Sequence, residues 1–375
     1  MNDAIYINGD EVVSPLGLGS DLNFARLLDG RTAIAPVMDA HLADHPVYAA
    51  RIADEPWLDF IRNAAQYTRL ERLFILAMQR LINTNGIPLD SSTLVVLSTT
   101  KGNISLLGDP QRAFPEERAN LSALAGAIGR YFGLSNPPIT VSNACISGAL
   151  AISVARRLLR YDNRYQRAIV VGGDELSRFI LSGFEAFQAL APEPCRPFDR
   201  DRKGVNLGEA VAAVLLTKEP SEGAVKIMGI GSFNDANHIS GPSRTGEGLY
   251  LSIREASREA EDIAPDFISA HGTATAYNDE MESIALQRCG LSDVPLHSLK
   301  GYYGHTLGAS GLLETVMAIH SLNNGTLIPS AGYKQPGTSQ SVNIITAPAT
   351  KPLRTFLKTA SGFGGCNIAT IFQKV

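Results

Sequence analysis

Three residues of this chain combine a reactive side chain with a place where reactive side chains are usually held: Cys145 in VSNACISGALAI, His271 in HGTATAYNDEME and His305 in SLKGYYGHTLGASG. Cys145 follows an apolar run and opens a stretch of small residues that reads as a helix start. A helix N-terminus offers free N–H groups and a positive dipole end, which favour a thiolate and can stabilise a developing oxyanion. The same corner also suits a small buried thiol with no chemistry, because cysteine is among the most buried residue types. His271 and His305 each follow an apolar run and have a glycine beside them, so a ligand can come close to the backbone. Alone, each reads as a polar loop residue. A thiol and two imidazoles on loops at strand C-terminal ends can meet at one edge of an open α/β structure, and the three together point to a shared site. Lys300, Asp279 and Glu282 lie close in sequence and can fix and tune the imidazoles, or else be surface charges. The glycines of GFGGCN, Gly362 to Asn367, can present the Phe363 N–H to a ligand or simply turn the chain between two strands.

Those residues need strands that end beside them. Short apolar runs at Thr93 to Leu97, Ile139 to Val141, Ala168 to Gly172, Val211 to Leu216, Phe267 to Ala270 and Pro295 to Leu299 alternate with helical patterns, among them Leu70 to Ile82 and the stretches after Cys145 and Gly308. The alternation predicts an α/β protein with buried sheets. The segments from Pro138 and from Pro295 both run from strand through a reactive loop into a small-residue helix, a hint of two similar halves. The polar stretch Lys218 to Gly223 is the best place to divide them.

Composition narrows the function. The 375 residues are 45% hydrophobic and 19% charged, with a formal net charge of -4, enough apolar material for a large core and no overall field to hold nucleic acid or anionic lipid. The first residues lack the basic start and long apolar core of a secretory signal. No apolar run reaches the roughly 18 residues of a membrane span, so the cytoplasm is the expected compartment. Cys145, Cys195, Cys289 and Cys366 show no C-x-x-C spacing, against a disulfide framework or a zinc site.

VSNACISGA, RPFDRDRKGVNLGEA, HGTATAYNDEME, KGYYGHTLGASG and SGFGGCN follow one another in the order and approximate spacing of the elongating-type β-ketoacyl-acyl carrier protein synthases. The resemblance runs along essentially the whole chain. It implies a thiolase-like α/β fold of duplicated α-β-α-β-α layers, with halves at residues 1–222 and 223–375, and a decarboxylative condensation that needs no metal or redox cofactor. Cys145 matches the acyl-accepting nucleophile, and His271 and His305 match the histidines that assist decarboxylation of the malonyl unit. Lys300 matches the lysine of K-x-x-x-G-H, Glu282 the acid expected to pair with it, and Asp279 a further acid of the His271 loop. Thr273 and Thr275 keep that loop's threonines. Phe363 matches an aromatic gate whose N–H, with that of Cys145, would form an oxyanion hole. The implied partners are acyl- and malonyl-loaded acyl carrier protein and a second subunit, identical or a chain-length partner. A carrier protein is acidic and needs a basic patch, for which Arg62, Arg69 and Arg72 are candidates against a merely solvated helix face.

The chain departs from the family pattern at Ala274 and Asn278 in the His271 loop, at Ile146 after the nucleophile, at Cys366, at Lys101, and in GEAVA. These leave the reactive residues in place and put the acyl chain type in question, with Ile146 a candidate pocket residue. Priming condensing enzymes carry asparagine for one histidine, which His271 and His305 disfavour. Thiolase-like enzymes use a second cysteine, for which Cys366 is available, although HGTAT does not fit them. Loading of labelled acyl groups should therefore vanish in Cys145→Ala and survive in Cys366→Ala; the reverse pattern would reassign the nucleophile.

Overall fold

Strands whose successive side chains are all apolar need cover on both faces, and this chain supplies that cover with three helix layers. The computed structural model describes residues 4–53, 61–108, 113–237 and 239–375. The first half contributes β1 (Tyr6–Ser14), β2 (Thr93–Ser98), β3 (Ile139–Val141), β4 (Arg167–Asp174) and β5 (Ala210–Thr217). The second contributes β6 (Val225–Asn234), β7 (Phe267–Ser269), β8 (Leu296–His297), β9 (Thr355–Gly362) and β10 (Cys366–Lys374). They form one sheet in the order β8-β7-β9-β10-β6-β1-β5-β4-β2-β3, with the short strand Gly17–Leu18 added on β1.

From the central β1–β6 pair outward, each half presents its first, fifth, fourth, second and third strand. The first three of these pair antiparallel and the last three parallel. The helices repeat as well. Helices α1 (Arg69–Asn85), α2 (Leu121–Phe132) and α3 (Ser147–Tyr161) follow β1, β2 and β3; α4 (Glu247–Glu259), α5 (Ala276–Arg288) and α6 (Ser310–Asn324) follow β6, β7 and β8.

Side chains sort by the two-residue period of a strand. On β5, Ala210, Ala212, Val214 and Leu216 join the core around α3 and α6, while Val211, Ala213 and Leu215 join that of α1 and α2. On β9 and β10, Phe356 and Phe372 face α3 and α6, and Leu357, Ala369 and Ile371 face α4 and α5. The layers are therefore α-β-α-β-α, the duplicated thiolase-like arrangement. Helix α1 opens on a capping box in which Thr68 Oγ1 accepts from Glu71 N–H and the Glu71 carboxylate accepts from Thr68 N–H. It closes on Gly86 in the left-handed region, a turn longer overall than the apolar periodicity alone predicts. The strand expected over Pro295 to Leu299 shrinks to Leu296–His297, because the chain turns into the short helix Lys300–Tyr303. Among the described residues no helix is long and apolar enough to cross a membrane.

The middle layer brings the reactive loops together. Gly148, three residues past Cys145, lies so close to α6 that a Cβ there would sit 2.8 Å from both the Gly308 carbonyl oxygen and Leu312 N; a Cβ on Gly311 would sit 2.8 Å from Ala149 N. Gly308 in turn is three residues past His305. Backbone pressed on backbone leaves no room for a methyl group, so Gly148→Ala should lower stability by about 1–3 kcal/mol in denaturant unfolding. Gly183→Ala, in the helix Arg178–Ala186 with no atom near its Cβ position, should be neutral or gain up to about 1 kcal/mol.

Candidate active site

The loop that carries His271 is held by two carboxylates one helical turn apart, which the α-helical period places on one face. Helix α5 starts after Thr275, whose hydroxyl accepts from Asn278 N–H. Asp279 Oδ1 accepts from Thr273 N–H at 2.8 Å and its Oδ2 from Phe198 N–H at 2.7 Å; Ala274 N–H adds to both. Glu282 accepts from the N–H groups of His271 at 2.9 Å and Gly272 at 2.8 Å, and from the Thr359 hydroxyl at 2.6 Å. Ala274 holds φ at 62°, a left-handed conformation that costs a non-glycine residue, within a buried cluster with Ala50, Ala191 and Cys195. The Thr273 and Thr275 hydroxyls lie 2.8 Å apart.

Beneath the loop sits Lys300, fully buried. Its ammonium donates to Glu314 Oε1 at 2.7 Å, to the His271 carbonyl oxygen and to His271 Nδ1 at 3.3 Å, which uses all three of its hydrogens. An ammonium can only donate, so Nδ1 accepts and the His271 ring proton sits on Nε2. On His305, Nδ1 faces Leu307 N–H at 3.3 Å, which again leaves the proton on Nε2. That Nε2 is buried with no hydrogen-bond partner among the described residues. The two rings meet edge to face with centroids 5.3 Å apart. Burial first, then the Lys300 charge, holds both imidazoles neutral: His271 lies well below its ordinary value and His305 is pushed down to about 3.

Cys145 sits in the turn before α3, preceded by Ala144 at φ 45°. Ser147 Oγ accepts from Asn143 N–H at 2.8 Å and donates to the Ala144 carbonyl at 2.6 Å, which fixes the turn. The β9–β10 hairpin comes so close that a Cβ on Gly362 would lie 3.0 Å from Cys145 N and 2.9 Å from Cys366 Sγ. It brings the Phe363 N–H to the thiol as a donor. Burial pushes the Cys145 thiol up to about 12, with Cys366 adding to the rise and Lys300 and the Phe363 N–H opposing it. Desolvation thus outweighs the Lys300 charge and the Phe363 N–H, and favours the protonated thiol at rest. The Phe363 ring lies 5.5 Å from Phe184 and 5.4 Å from Phe187, and Phe184 stands edge-on to His305 at 6.5 Å.

A thiol, an N–H aimed at it and two neutral imidazoles with protons on Nε2 can accept an acyl group and stabilise an enolate. Residues 2–221 match the family Beta-ketoacyl synthase, N-terminal domain, and residues 224–334 match Beta-ketoacyl synthase, C-terminal domain. The chain belongs to the beta-ketoacyl synthases. It is an acyl-transferring condensing enzyme. It is 30% identical to 3-oxoacyl-[acyl-carrier-protein] synthase 2 of Rhizobium meliloti (strain 1021), with 99% of this chain and 98% of that one covered. It is also 30% identical to Nodulation protein E of Rhizobium leguminosarum bv. trifolii, over 70% of this chain and 68% of the relative. Among solved structures it resembles the ishigamide ketosynthase/chain length factor, with a TM-score of 0.90 at 24% identity and full coverage of both chains. It also resembles the ketosynthase ApeO in complex with its chain length factor ApeC from Xenorhabdus doucetiae, with a TM-score of 0.85 at 26% identity, covering 99% of this chain and 98% of that one.

In this synthase several expected placements change. Lys300 does not pair with Glu282; Glu314 takes that place, because α6 runs directly under Lys300 while both Glu282 oxygens are spent on the His271 loop. A glutamate inside the apolar run GLLETVMAI was the signal for it. The Arg69 guanidinium is engaged within the chain, with Glu209 at 2.9 Å, the Ile52 carbonyl at 2.6 Å and Glu175 at 3.4 Å. Arg72 is half-buried, and only Arg62 of the three is exposed, stacked over Tyr131 at 5.5 Å. Ile146 is buried with Ala149, Ala360, Cys366 and Ile368, beside the thiol. Asp174 escaped the sequence reading. At the end of β4 it accepts from Thr99 Oγ1 at 2.7 Å, Thr100 N–H at 2.9 Å and Gly308 N–H at 2.7 Å, tying the first-half loops to the loop of His305.

His305 is neutral in the fold and protonates more easily once unfolded. Its contribution is therefore full above about pH 6.5 and lost as pH falls towards about 3. The stability gap between wild type and His305→Asn should narrow as pH falls from 7 to about 4 in denaturant titrations; a constant gap would mean that His305 is not held neutral.

Proposed function

We propose that this synthase joins an acyl group carried on Cys145 to a malonyl unit delivered by acyl carrier protein, with loss of carbon dioxide. The observation that carries this reading is the pair of imidazoles, both neutral with protons on Nε2, set edge to face 5.3 Å apart, with the Lys300 charge acting on both rings and on the buried Cys145 thiol. Attack of the Cys145 sulfur on an acyl-carrier thioester forms the acyl-cysteine and releases the carrier thiol, which takes up the thiol proton. One thioester replaces another, so the acyl group stays activated. In the second step the C–CO2 bond of the malonyl unit breaks and its electron pair becomes an enolate. The Nε2–H donors of His271 and His305 meet the charge that develops on the thioester oxygen. The enolate carbon then attacks the acyl carbonyl, whose oxyanion the N–H groups of Cys145 and Phe363 receive. Collapse releases the β-ketoacyl carrier and the Cys145 sulfur, which regains a proton from solvent.

In this reading Lys300 orients His271, Asp279 and Glu282 shape its loop, Thr273 and Thr275 brace that loop, and Phe363 with Phe184 and Phe187 gates the pocket that Ile146 helps to line. The same order of strands in each half supports two thiolase-like halves that divide near residue 222. Arg62 is what remains of the expected carrier-docking patch. The enzyme would work in the cytoplasm, in fatty-acid synthesis or in a polyketide or aryl-polyene-type pathway. A homodimer is the simplest assembly. Likeness to ketosynthases that pair with a chain length factor favours a second reading, in which this chain is the catalytic half of a heterodimer.

Purified protein given acyl- and malonyl-carrier proteins of varied chain type should form β-ketoacyl carriers, detected by mass spectrometry, and release carbon dioxide. His305→Asn should cut decarboxylation by about 10²–10³ while acyl loading of Cys145 persists. Absence of both product and carbon dioxide from wild type would sink the reading.

A further inference from the structure

Within the apolar strand segment Phe356, Leu357, Lys358, Thr359, Ala360, one residue breaks the pattern. Lys358 is fully buried, with 1% of its surface exposed, and nothing in the reaction described above uses it. Its ammonium is surrounded by four oxygens: Glu314 Oε2 at 2.7 Å and the backbone carbonyls of Thr359 at 2.7 Å, Ser269 at 3.1 Å and Ala270 at 3.4 Å. Four acceptors exceed the three hydrogens of an ammonium. Carbonyls and a carboxylate converging on one buried point are the donor set that hard cations select.

The cage has three ties to the imidazoles. Ser269 and Ala270 immediately precede His271, so the ammonium holds the strand end from which His271 emerges. Glu314 is gripped at both oxygens, by Lys358 on Oε2 and by Lys300 on Oε1, so Lys358 sets the carboxylate rotation in which Lys300 reaches His271 Nδ1. The Lys358 charge also acts on His271, His305 and the fully buried His297, disfavouring a proton on each. Lys300, Lys358, Glu314 and Glu282 together balance to zero charge in a dry layer, and loss of either cation leaves a buried negative charge unmatched.

We propose that the Lys358 ammonium is a built-in monovalent cation, filling an oxygen cage beneath the imidazoles that would otherwise need an ion from solution, and that it is a positioning residue for decarboxylation through Glu314, Lys300 and His271. This rests on the roles given above to the two histidines. Lys358→Ala leaves the cage and the stem volume open to a small cation, whereas Lys358→Gln fills the space without charge.

The test measures carbon dioxide release from malonyl-carrier protein and, separately, acyl loading of Cys145, at constant ionic strength in choline, potassium or ammonium chloride. Wild type should be indifferent to the cation. Lys358→Ala in choline should load Cys145 normally yet decarboxylate about tenfold to a hundredfold more slowly, and potassium or ammonium should restore most of the rate and raise its melting temperature. Lys358→Gln should be slow in every salt. Wild-type rates for Lys358→Ala in choline, full activity of Lys358→Gln, or a Lys358→Ala protein that no cation rescues would each overturn the proposal. If Lys358→Ala does not fold in any salt, Lys358→Gln decides: slow decarboxylation with normal loading upholds a need for the charge, and any other result rejects it. A wild type that neither loads nor decarboxylates would fail the reaction itself, which is a different outcome from a defect confined to the Lys358 variants.

Discussion

The contact on which the site depends is the buried ion pair between Lys300 and Glu314, at 2.7 Å with both side chains almost wholly out of solvent. Two charges taken out of water lose several kcal/mol of hydration each, and their attraction offsets this only when geometry and further hydrogen bonds are good. Here every ammonium hydrogen of Lys300 has an acceptor, and Glu314 is held from both sides with the Ser310 hydroxyl added at 2.9 Å. The local result is less a gain in stability than a fixed electric field. It adds the Lys300 charge to the burial that keeps the imidazoles neutral, leaves the His271 ring proton on Nε2, and requires α6 to be buried on nearly every side so that its one carboxylate stays dry.

Burial of α6 in turn depends on the duplicated sheet. Two five-strand sets with one strand order meet at β1 and β6 and enclose α3 and α6 between their inner faces. Each half delivers its reactive loop at an equivalent corner, Cys145 before α3 and His305 before α6. The near contact of Gly148 with the Gly308 carbonyl brings these corners together, and Asp174 ties them with a carboxylate that bonds groups from both halves. His271 comes from the remaining corner of the second half, drawn in by Asp279 and Glu282. The site is a property of the interface between halves, and neither half holds it alone.

The price of enclosing the nucleophile is a thiol that rests protonated. The same desolvation that raises its pKa also strengthens each N–H donor aimed at the reacting oxygens, because interactions in a water-poor site are less screened. A high resting pKa suits a reaction in which the thiol proton can leave with the departing carrier thiol.

Much of this was legible in the chain itself. Continuous apolar runs located the strands at Thr93, Ile139, Ala168 and Val211, and a three-to-four period located the helix at Leu70, because burial on two faces or one writes itself into spacing. The short motifs around Cys145, His271 and His305 marked the reactive loops, because glycine and small residues are needed wherever backbone meets backbone or ligand. What the sequence could not decide was pairing across distance. Glu282 and Glu314 are both carboxylates within reach of Lys300 by count, and only the path of α6 beneath the site selects Glu314. Arg69 looked like a surface cation until Glu209, far along the chain, folded against it. Lys358 and Asp174 carry no mark in the sequence, and only their three-dimensional neighbours surround them with acceptors and donors. Local spacing determines which elements form and which side chains are available; electrostatics and hydrogen bonding act through space, so the tertiary fold alone decides which charges meet, which are dry and which proton sits where.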